Sequence, residues 1–188
     1  MPFRGRGPAR LARKNRGSAP VQQDELRSLL TAITSDRVAL IQRHEAGARV
    51  VSNYDFNNAY QYVIAREETH LSWLRAALEE LGAPMPSASS EIPVPTPSKP
   101  GKNADAAAYS GILEDDARHL AAFVERWRPR VATVTHARHR TMLGVVLGES
   151  MEHRRLFEQA AAGLEDVIGR RTAGAERVGA VLPTRWQE

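Results

Sequence analysis

Residues 63–74 read Val-Ile-Ala-Arg-Glu-Glu-Thr-His-Leu-Ser-Trp-Leu. In a helix of ~3.6 residues per turn, Glu67 and His70 stand three apart and about 60° from each other around the axis. Ile64 and Leu74 fall on the same face, so a carboxylate and an imidazole point where the apolar side chains point. Burying both without partners costs roughly several kcal/mol. A metal ion would satisfy them, and so would a hydrogen-bonded pair at a wet interface.

The 188 residues suit one domain with tails. An apolar share of 42% with 26% charged residues is that of a soluble globular chain. Cysteine is absent, which excludes disulfides, thiolate zinc sites, iron–sulfur clusters and cysteine nucleophiles. A metal here needs oxygen and nitrogen donors, which suits iron, manganese or zinc. No apolar run approaches the ~20 residues of a membrane span. The N-terminus has basic residues without an apolar core segment, so no secretory signal is read and a cytoplasmic location is expected.

The net charge of +4 is unevenly placed. Arg4, Arg6, Arg10, Arg13, Lys14 and Arg16 give residues 1–20 a charge of +6 with no acid, which leaves −2 for the remainder. Interspersed Gly and Pro make this segment read as a disordered basic arm. Its partner could be nucleic acid, through phosphate neutralisation, or an acidic protein surface; solubility alone is the third reading.

Outward from the opening stretch, the chain reads as four helices. The first runs from Val21 to about Val51, with Leu26, Leu29, Leu30, Ile33, Leu40 and Ile41 at helical spacing. Asp36 falls within that stripe, with His44 two turns further along. Residues 52–57 form a short turn, so the second helix, Asn58–Leu81, runs back antiparallel until Gly82 stops it. Residues 85–102 hold five prolines and four serines, an extended connection about long enough to cross a bundle. The third helix, Asn103 to about Arg128, ends at Pro129. Along it Asp116 and His119 repeat the acid–histidine spacing. The fourth, Thr133 to about Arg170, carries Gly148-Glu-Ser-Met-Glu-His153. His136 and His139 near its start read as surface residues.

With His70 laid over His153, the second helix matches the fourth without a gap. Val63 falls on Val146, Ile64 on Leu147, Leu74 on Phe157, Ala77 on Ala160 and Leu81 on Leu164. This predicts two helical hairpins related by a pseudo-two-fold axis, with the two histidines facing each other.

Four long helices, a long connection between the second and third, and a helical Glu-x-x-His with its repeat resemble the ferritin-like superfamily. Bacterioferritin and rubrerythrin are the nearest comparisons. Residues 35–42, Ser-Asp-Arg-Val-Ala-Leu-Ile-Gln, are similar to the first-helix run around the family's Glu ligand, with Asp36 in that place. The resemblance covers residues about 22–168. It implies an all-α, ferritin-like, up-down-down-up four-helix bundle over residues 21–170. A long crossover joins its second and third helices, the basic arm precedes it, and a tail follows at 171–188.

The implied ligand set is Asp36, Glu67, His70, Asp116, His119, Glu149 and His153. Two iron ions, with manganese the alternative, would react there with dioxygen or peroxide as in a ferroxidase or peroxide scavenger. One ion is the smaller alternative. The chain departs from the family in having Asp36 where Glu is expected. Ser150 stands three before His153, with Glu149 as its substitute, and Asp116 or Asp115 stands for the third-helix Glu. The competing reading is a degenerate bundle with a satisfied polar core, acting as a nucleic-acid-binding or complex-subunit protein through its arm. A homodimer is the expected assembly.

Overall fold

The computed structural model describes residues 18–87, 93, 95–97 and 106–169. All but three residues of the arm at 1–20 and all of the tail at 171–188 fall outside that range, as does much of the crossover. The described residues form four helices and no strand: α1 (Ser18–Val50), α2 (Tyr54–Glu80), α3 (Ala106–Ala132) and α4 (Ala137–Ala161).

Each helix buries one stripe of residues spaced alternately three and four apart, the spacing that keeps side chains on one face. The stripes include Leu30, Ile33, Leu40 on α1 and Tyr60, Val63, Leu74 on α2. Leu113, Leu120, Phe123, Trp127 do the same on α3, and Leu143, Val146, Phe157 on α4. Fully burying one such side chain stabilises by about 1.5–3 kcal/mol, so these stripes drive assembly.

α1 packs on α2 and α3, and α4 packs on the same two; α1/α4 and α2/α3 are diagonal. Contacts between α1 and α3 run from Asp36–Trp127 through Arg43–Asp116 to Ser52–Tyr109. Those between α2 and α4 run from Tyr60–Phe157 through His70–Glu149 to Glu80–Arg138. In both cases one number rises as the other falls, so neighbouring helices are antiparallel. The diagonal pair α2 and α3 is therefore parallel, so the end of α2 and the start of α3 lie at opposite ends of the bundle.

The turns explain the boundaries. The Asn53 side chain caps α2, accepting from the amides of Asp55 and Phe56 at 3.0 and 3.1 Å. Asn57 Nδ2 donates back to the carbonyls of Ala48 and Val51. The turn is thus residues 51–53, and α2 starts four residues earlier than expected. At the far end Gly82, with φ +64°, and the Ala83 amide bonded to the Leu78 carbonyl close α2 in a left-handed cap. Gly163, with φ +84°, does the same for α4, which ends at Ala161 and not near 170. Pro129 lies inside the last turn of α3 instead of ending it. There it forgoes one backbone hydrogen bond on an exposed face.

At Gly47 the Tyr60 ring of α2 packs directly against the α1 backbone. A methyl group there would lie 2.8 Å from the Tyr60 ring. That ring is packed on Phe157 at 4.7 Å between centroids and hydrogen-bonded to Asp116, so it has nowhere to move. Gly47→Ala is expected to lower stability by a net ~1–2 kcal/mol, overpacking outweighing the helix-propensity gain. A fall in the urea midpoint at unchanged slope would record it.

Candidate functional site

The centre of the bundle is polar. Glu67 is fully buried, and both its carboxylate oxygens are engaged. Arg37 Nη1 donates to Oε1 at 2.6 Å, and His44 Nδ1 donates to Oε2 at 2.7 Å. The other end of the Arg37 guanidinium donates to Ser150 Oγ at 2.6 Å, across the diagonal from α1 to α4. The Ser150 hydroxyl in turn donates to the Val146 carbonyl at 2.7 Å, so Arg37 links α1, α2 and α4 at one point. Its guanidinium also lies 4.4 Å over the Phe123 ring of α3.

His70 and His153 face each other as the repeat predicts, stacked with ring centroids 6.1 Å apart. His70 Nε2 donates to Glu149 Oε2 at 2.9 Å, and Glu149 is gripped bidentately by Arg66. His153 Nδ1 stands 3.9 Å from Glu67 Oε1, beyond hydrogen-bonding range. His44 faces Glu67 through its Nδ1–H, and His70 carries its proton on Nε2 toward Glu149. His70 Nδ1 has no hydrogen-bond partner among the described residues and is a lone pair.

The remaining expected ligands lie elsewhere. Asp36 is rotated off the core stripe, its side chain 30% exposed, accepting from Trp127 Nε1 and from Arg126, each at 2.9 Å. It is not part of the centre. Asp116 is buried but belongs to a separate network, accepting from Arg43 Nε at 2.7 Å and from the Tyr60 hydroxyl. His119 is 48% exposed and its Nδ1 donates to the Asp115 carbonyl one turn back, so it too stands outside. Of the seven expected residues, Glu67, His70, Glu149 and His153 come together. Arg37, His44, Tyr60 and Ser150 join the polar interior unforeseen as its members.

The charges hold one another in place. Burial works against the Glu67 carboxylate, but His44 and Arg37 outweigh it and keep its proton affinity well below the usual range. Burial likewise lowers the proton affinity of Arg37, with Glu67 opposing. His70 is pushed down to about 4, first by burial and then by Arg37, with Glu149 pulling the other way. Glu149 is lowered chiefly by its hydrogen bonds from Arg66, and the Tyr60 hydroxyl is raised by burial and then by Asp116.

The donors do not fit a carboxylate-bridged pair of metals. Every carboxylate of the expected set has an arginine of its own: Asp36 with Arg126, Glu67 with Arg37, Asp116 with Arg43 and Glu149 with Arg66. Those four guanidiniums bring the same charge as two divalent ions. Arg37 lies against the oxygens of Glu67 and Ser150, where a bridging site would need two acids and no cation. Among the described residues no group of three or more His, Asp or Glu side chains is arranged to hold a metal ion.

No protein-family model matches this chain, and comparison with curated proteins and with solved structures found no match either. The functional reading therefore rests on the residues themselves. Among the described residues no helix is long and apolar enough to cross a membrane.

Proposed function

We propose that the chain is a ferritin-like bundle in which arginines take the role of the dinuclear metal, and that it acts by binding a polyanionic partner. The ferritin-like assignment is supported by the parallel diagonal helices joined by a long crossover, the helical Glu67-x-x-His70, and the stacking of His70 on His153. The observation that carries the functional reading is Arg37, a buried cation bonded to Glu67 and Ser150 at 2.6 Å each. With the central carboxylate neutralised from within, the centre holds the four helices together and leaves no open position for dioxygen or peroxide. Binding falls to the basic segment at 1–20, whose charge of +6 suits nucleic acid phosphates or a strongly acidic protein surface.

Anaerobic loading with Fe(II) or Mn(II), followed by exposure to air, tests the centre. The expected result is less than one ion per chain and no oxo-bridged absorption band. Two ions per chain, lost in Glu67→Gln, would restore the oxidoreductase reading. A gel shift on duplex DNA tests the arm, comparing the full chain with a variant carrying Gln at Arg4, Arg6, Arg10 and Arg13. Affinity should fall steeply in the variant and with added salt. Equal affinity in both, or none in either, would remove the nucleic-acid reading.

A further inference from the structure

A second histidine cluster lies at the opposite end of α4 from its glycine cap, away from the centre. His136 caps α4 and is exposed; His139, one turn on, is buried, contrary to its expected place on the surface. Their rings lie 4.4 Å apart between centroids, and their Nδ1 atoms are 3.0 Å from each other. His139 Nε2 has no hydrogen-bond partner among the described residues and stands 3.7 Å from Glu80 Oε2. Arg138 holds the other Glu80 oxygen at 2.8 Å. The histidines and Glu80 line a cleft of about 530 Å³ between the start of α1, the end of α2 and the α3–α4 turn.

We propose that His136 and His139, backed by Glu80, chelate one divalent ion of the zinc, nickel and copper class. Two imidazole nitrogens bound to one such ion at ~2.0–2.1 Å lie about 2.9 Å apart at a right angle and about 3.4 Å apart at the tetrahedral angle of zinc. The two Nδ1 atoms, 3.0 Å apart, stand at the near end of that range. Without an ion His136 Nδ1 accepts from His139 Nδ1 at 3.0 Å and, as the helix cap, from the His139 amide at 3.5 Å, while the His139 Nε2 lone pair faces a carboxylate oxygen, two acceptors with nothing between them. Coordination through both Nδ1 atoms places the ring proton of His139 on Nε2, where it donates to Glu80. A carboxylate behind a ligating imidazole is the usual means of orienting it. Imidazole donors favour zinc, nickel and copper over magnesium or calcium, and the exposed side of His136 leaves the remaining positions to water. The ion would fasten the α3–α4 turn at His136 to the first turn of α4 at His139.

Calorimetric titration of the full, untagged chain with zinc chloride tests this. The expected result is one zinc per chain, with affinity lowered tenfold or more in His136→Asn, which keeps a capping side chain but loses the chelate. Glu80→Gln should weaken binding by about 10–100-fold. Far-UV circular dichroism confirms that both variants remain helical. No uptake up to about 1 mM zinc would overturn the proposal. So would uptake that His136→Asn leaves unchanged and His153→Ala abolishes, since that zinc would belong to the bundle centre.

Discussion

Arg37→Met is expected to cost about 3–5 kcal/mol, because it removes the partner of a buried carboxylate while keeping most of the side-chain volume. Glu67 would be left with His44 alone, in a core where an uncompensated charge cannot be solvated. Ser150 Oγ and the Phe123 ring lose their cation as well. The energetics are asymmetric, however. A buried ion pair replaced as a whole by groups of like shape is often neutral in stability. Adding Glu67→Gln to Arg37→Met should therefore recover at least half of the loss. Urea denaturation of the two single variants and the double variant gives the coupling directly. If Arg37→Met alone costs less than about 1 kcal/mol, Arg37 is not neutralising the centre and a dinuclear site there becomes tenable again.

That pair also shows where sequence reasoning stops. The four helices, the long connection and the meeting of His70 with His153 all follow from apolar spacing and from the second helix repeated in the fourth. Arg37 was equally visible in principle: it stands four after Ile33 and three before Leu40, and His44 continues the same run. Asp36, one residue away, is turned about 100° around the axis, toward Trp127. An apolar stripe locates a face only to within about half that angle, so the acid and its neighbouring base compete for the inward place. Charge type then pulls a reader toward the acid, whereas the partner across the bundle, Glu67, selects the base. Asp116 illustrates the same limit. Its inward position was legible, but its engagement by Tyr60 and Arg43 depends on how α3 settles against α1 and α2.

The other large expected effect is loss of stability in mild acid, and its sign follows from His70. The folded protein holds His70 down to about 4, against an ordinary histidine value of 6.5. The unfolded chain therefore binds a proton that the folded chain refuses anywhere between those limits. Stability from this residue is fully present above about pH 6.5 and falls by ~1.4 kcal/mol per pH unit until pH 4. The loss across the window amounts to a few kcal/mol. The groups facing the imidazole are consistent with this: Arg37 and His153 oppose a new positive charge, and Glu149, already held by Arg66, compensates only in part. Glu67 and Glu149 act later, because their lowered proton affinities keep their contribution intact above the usual carboxylate range and release it only below. Urea midpoints for the wild type should fall between pH 6.5 and 4. His70→Gln keeps a donor toward Glu149 and cannot titrate, so its midpoint should fall less steeply through the same window. Parallel curves for the two proteins would mean that the acid sensitivity originates outside the stacked pair of imidazoles.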